Sequence, residues 1–406
     1  MKLLYKFCSL LILLCCCASA NASSEDNASG NDSIEAGFLT CAPGTEVYEL
    51  YGHTALRLRN IKSGEDWVFN YGVFNFRTPH FAWRFMLGQT DYMLGALPFD
   101  LFAAGYLREG RSVEEQVLNL RPQEKAALWA SLAETATTPN WTYRYNFLYD
   151  NCTTRAVSEV EKCVQGSIIW KNLPNEEKQT FRDIIHEFAS GTCPWNAFGQ
   201  DLILGEETDH TIGIQQKMFS PVYAQRYFDK AVIKDAEGHL RPLVTHTETV
   251  VAAQPKPNKT FPVSPTLAIT LVLLVTGAIC FLEQRKKKIY TGFDDLWLLL
   301  WGGTGCIVFI LFFFSEHPAV GSNWLVVLLN PLPLLLLPVK IWNNRHHRHS
   351  LYPCVSALAI GLFGIIGLFM PQHVPALFYL LIFTLFARCI HLLFLQQELK
   401  NRKTIK

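Results

Sequence analysis

Five apolar runs crowd the rear of this chain, at about 263–282, 293–314, 324–342, 352–370 and 375–395. A helix needs roughly 20 apolar residues to cross a bilayer, and lipid admits only backbone whose polar groups are bonded internally. Five such runs in succession are read as an all-α membrane domain of five transmembrane helices over residues 263–406. A soluble helical bundle has no need of them. The formal charge of +1, from 36 Lys plus Arg against 35 Asp plus Glu, gives no ground for nucleic-acid binding.

The loops between the runs carry an orientation. "EQRKKK", "NNRHHRH" and "LKNRKTIK" follow the first, third and fifth runs, whereas "SEHPAVGSN" and "PQH" after the second and fourth hold no Lys or Arg. Basic loops stay in the cytoplasm. The C-terminus is therefore expected there, with the region before the first run outside. The N-terminus agrees: "MKLLYKFCSLLILLCCCASANAS" has a charged front, a short apolar stretch and an A-x-A site, so residues 1–22 read as a secretory signal rather than an uncleaved anchor. Residues 23–33 are a polar, disordered lead-in, 34–250 a globular domain and 251–262 a Pro-rich linker. Within the spans, Pro331, Pro333 and Pro338 should break the third. Arg388 and His391 share a face of the fifth, to meet a partner or, for Arg388, to reach the cytoplasmic surface.

Of the 12 Cys, four lie in the signal and four in apolar runs. Cys41, Cys152, Cys163 and Cys193 remain in an oxidising compartment, where a disulfide is the default; if Cys152 is a working thiol, Cys163 with Cys193 is the expected pair, leaving Cys41 over. The sequence around Cys152, "RYNFLYDNCTTRAVSEVEK", runs from an aromatic strand-like stretch into a helix starting near Cys152 or Thr153, with Glu159 and Glu161 exposed. A helix start favours thiolate, and a nearby histidine would favour it further. A strand from about Glu46 to Asn60, the turn "IKSGED" and a second strand from Asp66 to Tyr71 supply that histidine. If Arg59 pairs near Asp66, His53 falls opposite Gly72 with Asn70 diagonal to it on one face, and Leu56, Leu58, Trp67 and Phe69 take the other. A one-residue slip would part them. Another helix is expected from Pro122.

"YGHTALRL", "VFNYGVFNF", "YDNCTTR" and "HPAVGSNWLVVLLNPL", in that order, resemble a Bacteroidota family with a periplasmic domain and several membrane helices that is associated with lipoprotein N-acylation. The resemblance implies an α+β domain of permuted papain-like type, as in NlpC and lecithin retinol acyltransferase, in which His precedes Cys. It implies Cys152 as nucleophile and His53 as base. Asn70 takes the third position, where relatives often carry a His. On this reading Cys152 takes an acyl chain from a glycerophospholipid as a thioester and passes it to the α-amine of a diacylated lipoprotein, with the Cys152 N–H, Tyr51 and Asn151 around the oxyanion. Arg155 is expected to contact phosphate or pair with Glu159, while Glu316, His317 and Asn323 border the site. No cofactor is expected, and no metal, since His346, His347 and His349 lie in a basic loop suited to the membrane surface. Two other readings stand beside it: a membrane-tethered cysteine amidase or peptidase acting on peptidoglycan, and a non-catalytic sensor or assembly factor with Cys152 in a disulfide.

Overall fold

The computed structural model describes residues 33–46, 49–74, 78–174, 178–254, 262–346 and 350–404. The expected signal segment, nearly all of the lead-in, linker residues 255–261, His347 and His349 lie outside them.

The front domain is built on a seven-stranded antiparallel sheet. Its strands are β1 (Ile34–Cys41), β2 (His53–Asn60), β3 (Asp66–Val73), β4 (Asp91–Pro98), β5 (Val113–Leu118), the two-residue β6 (Tyr143–Arg144) and β10 (Val244–Val251), in the order β10-β5-β1-β2-β3-β4-β6. A small antiparallel sheet joins β7 (Ser167–Ile169), β8 (Val232–Lys234) and β9 (Leu240–Pro242). Arg59 pairs with Asp66, Leu58 with Trp67 and Leu56 with Phe69, the register on which His53 and Asn70 share a face. The first strand of that hairpin is shorter than expected. It starts at His53 rather than Glu46, because Glu49 and Leu50 turn and Gly52 sits at φ +81°, a conformation that favours glycine and ends extension.

Each sheet face is covered. Phe38, Leu56, Leu58, Phe69 and Tyr71 pack with Ala156, Val157 and Val160 of the helix Cys152–Cys163, and with Tyr223, Tyr227 and Phe228 of the helix Pro221–Lys230. Leu39, Cys41, Ala55, Val68 and Val113 pack with Phe102 of the helix Phe99–Glu109. The α+β class and the His-strand-before-Cys-helix order are those expected. The helix expected near Pro122 spans Pro122–Thr137. Glu159, expected in solvent, is buried; its carboxylate accepts from Ser131 Oγ (2.9 Å) and Lys162 Nζ (2.8 Å) where two helices meet.

Four helical segments are long and apolar enough to cross a membrane: Pro265–Lys286, Thr291–Phe314, Trp324–Arg345 and Ala376–Arg402. The fourth expected span is shorter. Its helix, Tyr352–Ile366, has 15 residues, about 22 Å at 1.5 Å per residue, because the chain leaves the helix at Gly367. The third segment is a 3-10 turn, Trp324–Val327, followed after Pro331 by the helix Leu332–Arg345. Pro331 and Pro333 mark that join, whereas Pro338 is carried inside the helix without ending it. A Cβ at Gly305 would meet the Asn330 backbone, so glycine lets the third segment approach the second closely. Arg388 has its partners: Nε lies 2.9 Å from Asp294 Oδ1, Nη2 2.9 Å from Glu283 Oε1, and Nη1 also bonds Glu283. His391 Nε2 joins Glu283 at 3.1 Å. Arg388 is buried in this cluster and does not reach for the surface.

The two domains are stitched together. The loop between the second and third segments gives its Ala319 carbonyl to Gly205 N (2.7 Å) and its Ser322 carbonyl to Glu206 N (3.2 Å). Gln372 Nε2 donates to Leu204 O at 3.1 Å, and Trp324 Nε1 to Glu206 at 2.8 Å.

Candidate active site

Cys152 is the first residue of its helix, and Asn151 caps it. The Asn151 carboxamide oxygen accepts from Thr153 N (2.8 Å) and Thr154 N (3.0 Å), and its nitrogen donates to Phe147 O (2.8 Å) and Phe219 O (2.9 Å). A helix leaves its first N–H groups without internal partners, so this cap satisfies two of them and leaves the Cys152 N–H directed out of the helix start. Asn151 thus holds Cys152 in place. Both of its amide groups are engaged, which removes it as an oxyanion donor. Thr153 Oγ1 and Thr54 Oγ1 lie 3.1 Å apart and fasten the helix to β2.

His53 opens β2, paired with Cys41 of β1. Its Nε2 lies 3.1 Å from Asn70 Oδ1, so the neutral ring donates there and keeps Nδ1 for proton exchange. Asn70 is buried in mid-strand and fixes both ring angle and tautomer. Burial opposes ionisation of Cys152, but the His53 charge, a hydrogen bond from His53, one from the Thr54 backbone and one from Thr153 outweigh it and bring the thiol down to about 7. Burial likewise pulls His53 down, while the Cys152 charge and the bonds to Cys152 and Asn70 push it up further. Together the shifts favour a thiolate beside a charged imidazole whose other nitrogen is bonded to Asn70, the electrostatic setting of a reactive thiol.

The other cysteines are built differently. Burial pushes Cys41 and Cys163 up to about 12, which keeps them protonated. The expected Cys163–Cys193 disulfide is not formed. Both are free thiols; the Cys163 sulfur turns back on the Val160 carbonyl of its own helix at 3.2 Å, and Cys193 caps the end of the helix Phe181–Thr192. Cys152 is also free, and the disulfide-bonded sensor reading loses its premise.

The supporting residues each have partners of their own. Tyr51 donates its hydroxyl to Gln200 Oε1 at 2.8 Å and so offers no proton to an oxyanion. Arg155 does not pair with Glu159: it grips Asp150 through Nε (2.5 Å) and Nη2 (2.6 Å) and lies 4.2 Å from the Tyr143 ring centroid. Glu316 bonds Arg144 and Gln89, and His317 Nε2 lies 3.1 Å from Phe85 O. Asn323 is buried, donating to Leu202 O (2.8 Å) and accepting from Gln372 Nε2 (2.9 Å). These three belong to the junction between domains.

That junction adjoins the site. Tyr51 reaches Gln200, Tyr149 reaches Glu207 at 3.1 Å, and Arg144 reaches Glu316, so the segments flanking His53 and Cys152 are bonded to the parts that meet the membrane domain. Tyr143 and Tyr145, not anticipated from the sequence, also lie near Cys152, with Tyr145 stacked on Tyr92 at 4.3 Å. The aromatic run "WTYRY" was the available signal.

Residues 24–186 match the family model described as the Lnb N-terminal periplasmic domain, and residues 256–400 match that described as the Lnb transmembrane domain. No curated protein and no solved structure matches the chain.

Proposed function

The chain belongs to the Lnb-type lipoprotein N-acyltransferase family, a membrane protein with a periplasmic domain, and from that premise we propose that Cys152 carries the acyl chain in this transfer. The observation that carries the reading is the half-buried Cys152–His53 pair, backed by buried Asn70, beside the junction with the membrane helices. Cys152 thiolate attacks the carbonyl of a glycerophospholipid ester. His53 Nδ1, holding the thiol's proton, returns it to the departing glycerol oxygen, leaving a thioester and a lysophospholipid. The free α-amine of a diacylated lipoprotein cysteine then attacks the thioester as His53 takes an amine proton, and the amide forms while Cys152 leaves as thiolate.

Both substrates are lipids, which accounts for an enzyme head joined to several apolar helices rather than one anchor. A cavity of about 460 Å³, lined by Trp297, Trp301, Leu336, Val355, Ile360 and Leu385, gives those helices room for an acyl chain. The basic ends of the first, third and fifth segments favour a cytoplasmic C-terminus, with the catalytic head facing the periplasm.

Reconstituted full-length protein given a phospholipid with a labelled acyl chain should bind the label as a hydroxylamine-labile adduct on Cys152. A diacylated lipopeptide should then discharge it. Label that never reaches Cys152, or that leaves only to water, would contradict the reading and favour a hydrolase of envelope amides.

A further inference from the structure

Tyr143 is a buried tyrosine whose hydroxyl has no hydrogen-bond partner among the described residues. Burying an unbonded hydroxyl away from water is costly, so such a group in a packed domain calls for a reason. Its surroundings supply one. Gly72 sits at φ +91° with no side chain, and the point where its Cβ would stand is 3.7 Å from Cys152 Cβ and 3.9 Å from Tyr143 Oη. The nucleophile and the hydroxyl therefore border one small space that the glycine keeps open. The ring cannot swing away: Trp141 (5.7 Å between centroids), Tyr71 (6.2 Å), Tyr92 (6.4 Å) and Tyr145 (6.5 Å) surround it, and the Arg155 guanidinium, held by Asp150, lies 4.2 Å from its centroid.

Resting on the acyl-transfer reading above, we propose that Tyr143 Oη is an oxyanion donor, paired with the Cys152 N–H across the space left by Gly72. When the Sγ–C bond forms, the carbonyl π pair moves onto oxygen, and the two donors hold that oxyanion without giving up their protons. The C=O then re-forms, the ester C–O bond breaks, and the glycerol oxygen leaves with the proton from His53. Arg155 is the positioning residue: its charge over the ring keeps the phenol in place and strengthens it as a donor.

The test is Tyr143→Phe in the full-length protein, with two reactions at the same sulfur. Acylation by a p-nitrophenyl fatty ester builds an oxyanion; alkylation by iodoacetamide does not. Acylation should slow about 100- to 1000-fold, with iodoacetamide reactivity and its pH midpoint unchanged. Because the hydroxyl lacks a partner, the variant should also melt at or above the wild-type temperature. Acylation at the wild-type rate would overturn the proposal, as would alkylation slowing in parallel, which would place the hydroxyl on the thiolate instead. A variant that fails to fold would show that the hydroxyl has a structural partner, and would overturn it too. The broader reading fails separately: wild type that takes acyl groups from the ester but never delivers them to a lipopeptide amine refutes the acceptor and leaves Tyr143 standing.

Discussion

Replacing His53 with Ala removes the imidazolium charge and the hydrogen bond that bring the Cys152 thiol down to about 7, and leaves the burial that pushes it up. The thiol should return to its ordinary value of 9.0 or above. At pH 7 the ionised fraction then falls from about one half to about one in a hundred, roughly 50-fold. A more basic thiolate is also a better nucleophile, and a Brønsted coefficient of about 0.4–0.5 over this interval returns a factor of about 6–10. Alkylation of Cys152 at pH 7 should therefore fall only about 5- to 8-fold, while its pH midpoint climbs from about 7 to 9 or beyond. Following carbamidomethylation of each cysteine by mass spectrometry across pH measures both quantities, with Cys41 and Cys163, whose thiols burial pushes up to about 12, as slow internal references. A midpoint that stays near 7 without His53 would refute the reasoning and credit the helix start alone.

Asn70→Ala removes a bond that raises His53. The charged ring loses about 1.5–3 kcal/mol, so acyl transfer should drop about 10- to 100-fold, and the Cys152 midpoint should rise by less than in His53→Ala, as rates and pH profiles would show. Arg388→Met leaves Glu283 and Asp294 facing each other inside the helices without their cation. Breaking a buried pair in this way costs about 3–5 kcal/mol, to be seen as a lower melting temperature in detergent. Alkylating the denatured, unreduced protein should label both Cys163 and Cys193; protection of both would restore the disulfide.

The parts legible in the sequence were those with a period or a signature of their own. The hairpin register matches the stated condition, Arg59 opposite Asp66, which puts Leu56, Leu58 and Phe69 on one face of the hairpin and Ala55 and Val68 on the other. Cys152 was placed by the aromatic, strand-like run before it and the helix pattern behind it. What stayed hidden depends on distant partners. The burial of Glu159 comes from Ser131 on another helix, and the bonds of Tyr51 and Asn323 come from Gln200 and Leu202, far along the chain. The fourth expected span was counted at full length because apolar composition continues past Gly367, where its helix ends. Tyr143 was hidden for a related reason: a two-residue strand at a sheet edge has no periodicity to reveal which way it faces.

The central claim, that this chain adds an acyl group to lipoprotein amines through Cys152, is tested most directly in a host lacking its own lipoprotein N-acyltransferase. Complementing that host with wild type or Cys152→Ala, each shown to be present in the membrane, and weighing lipoprotein N-terminal peptides by mass spectrometry gives the answer. The account predicts a third acyl chain with wild type and none with Cys152→Ala. Diacyl peptides in both strains, or triacyl peptides in both, would contradict it.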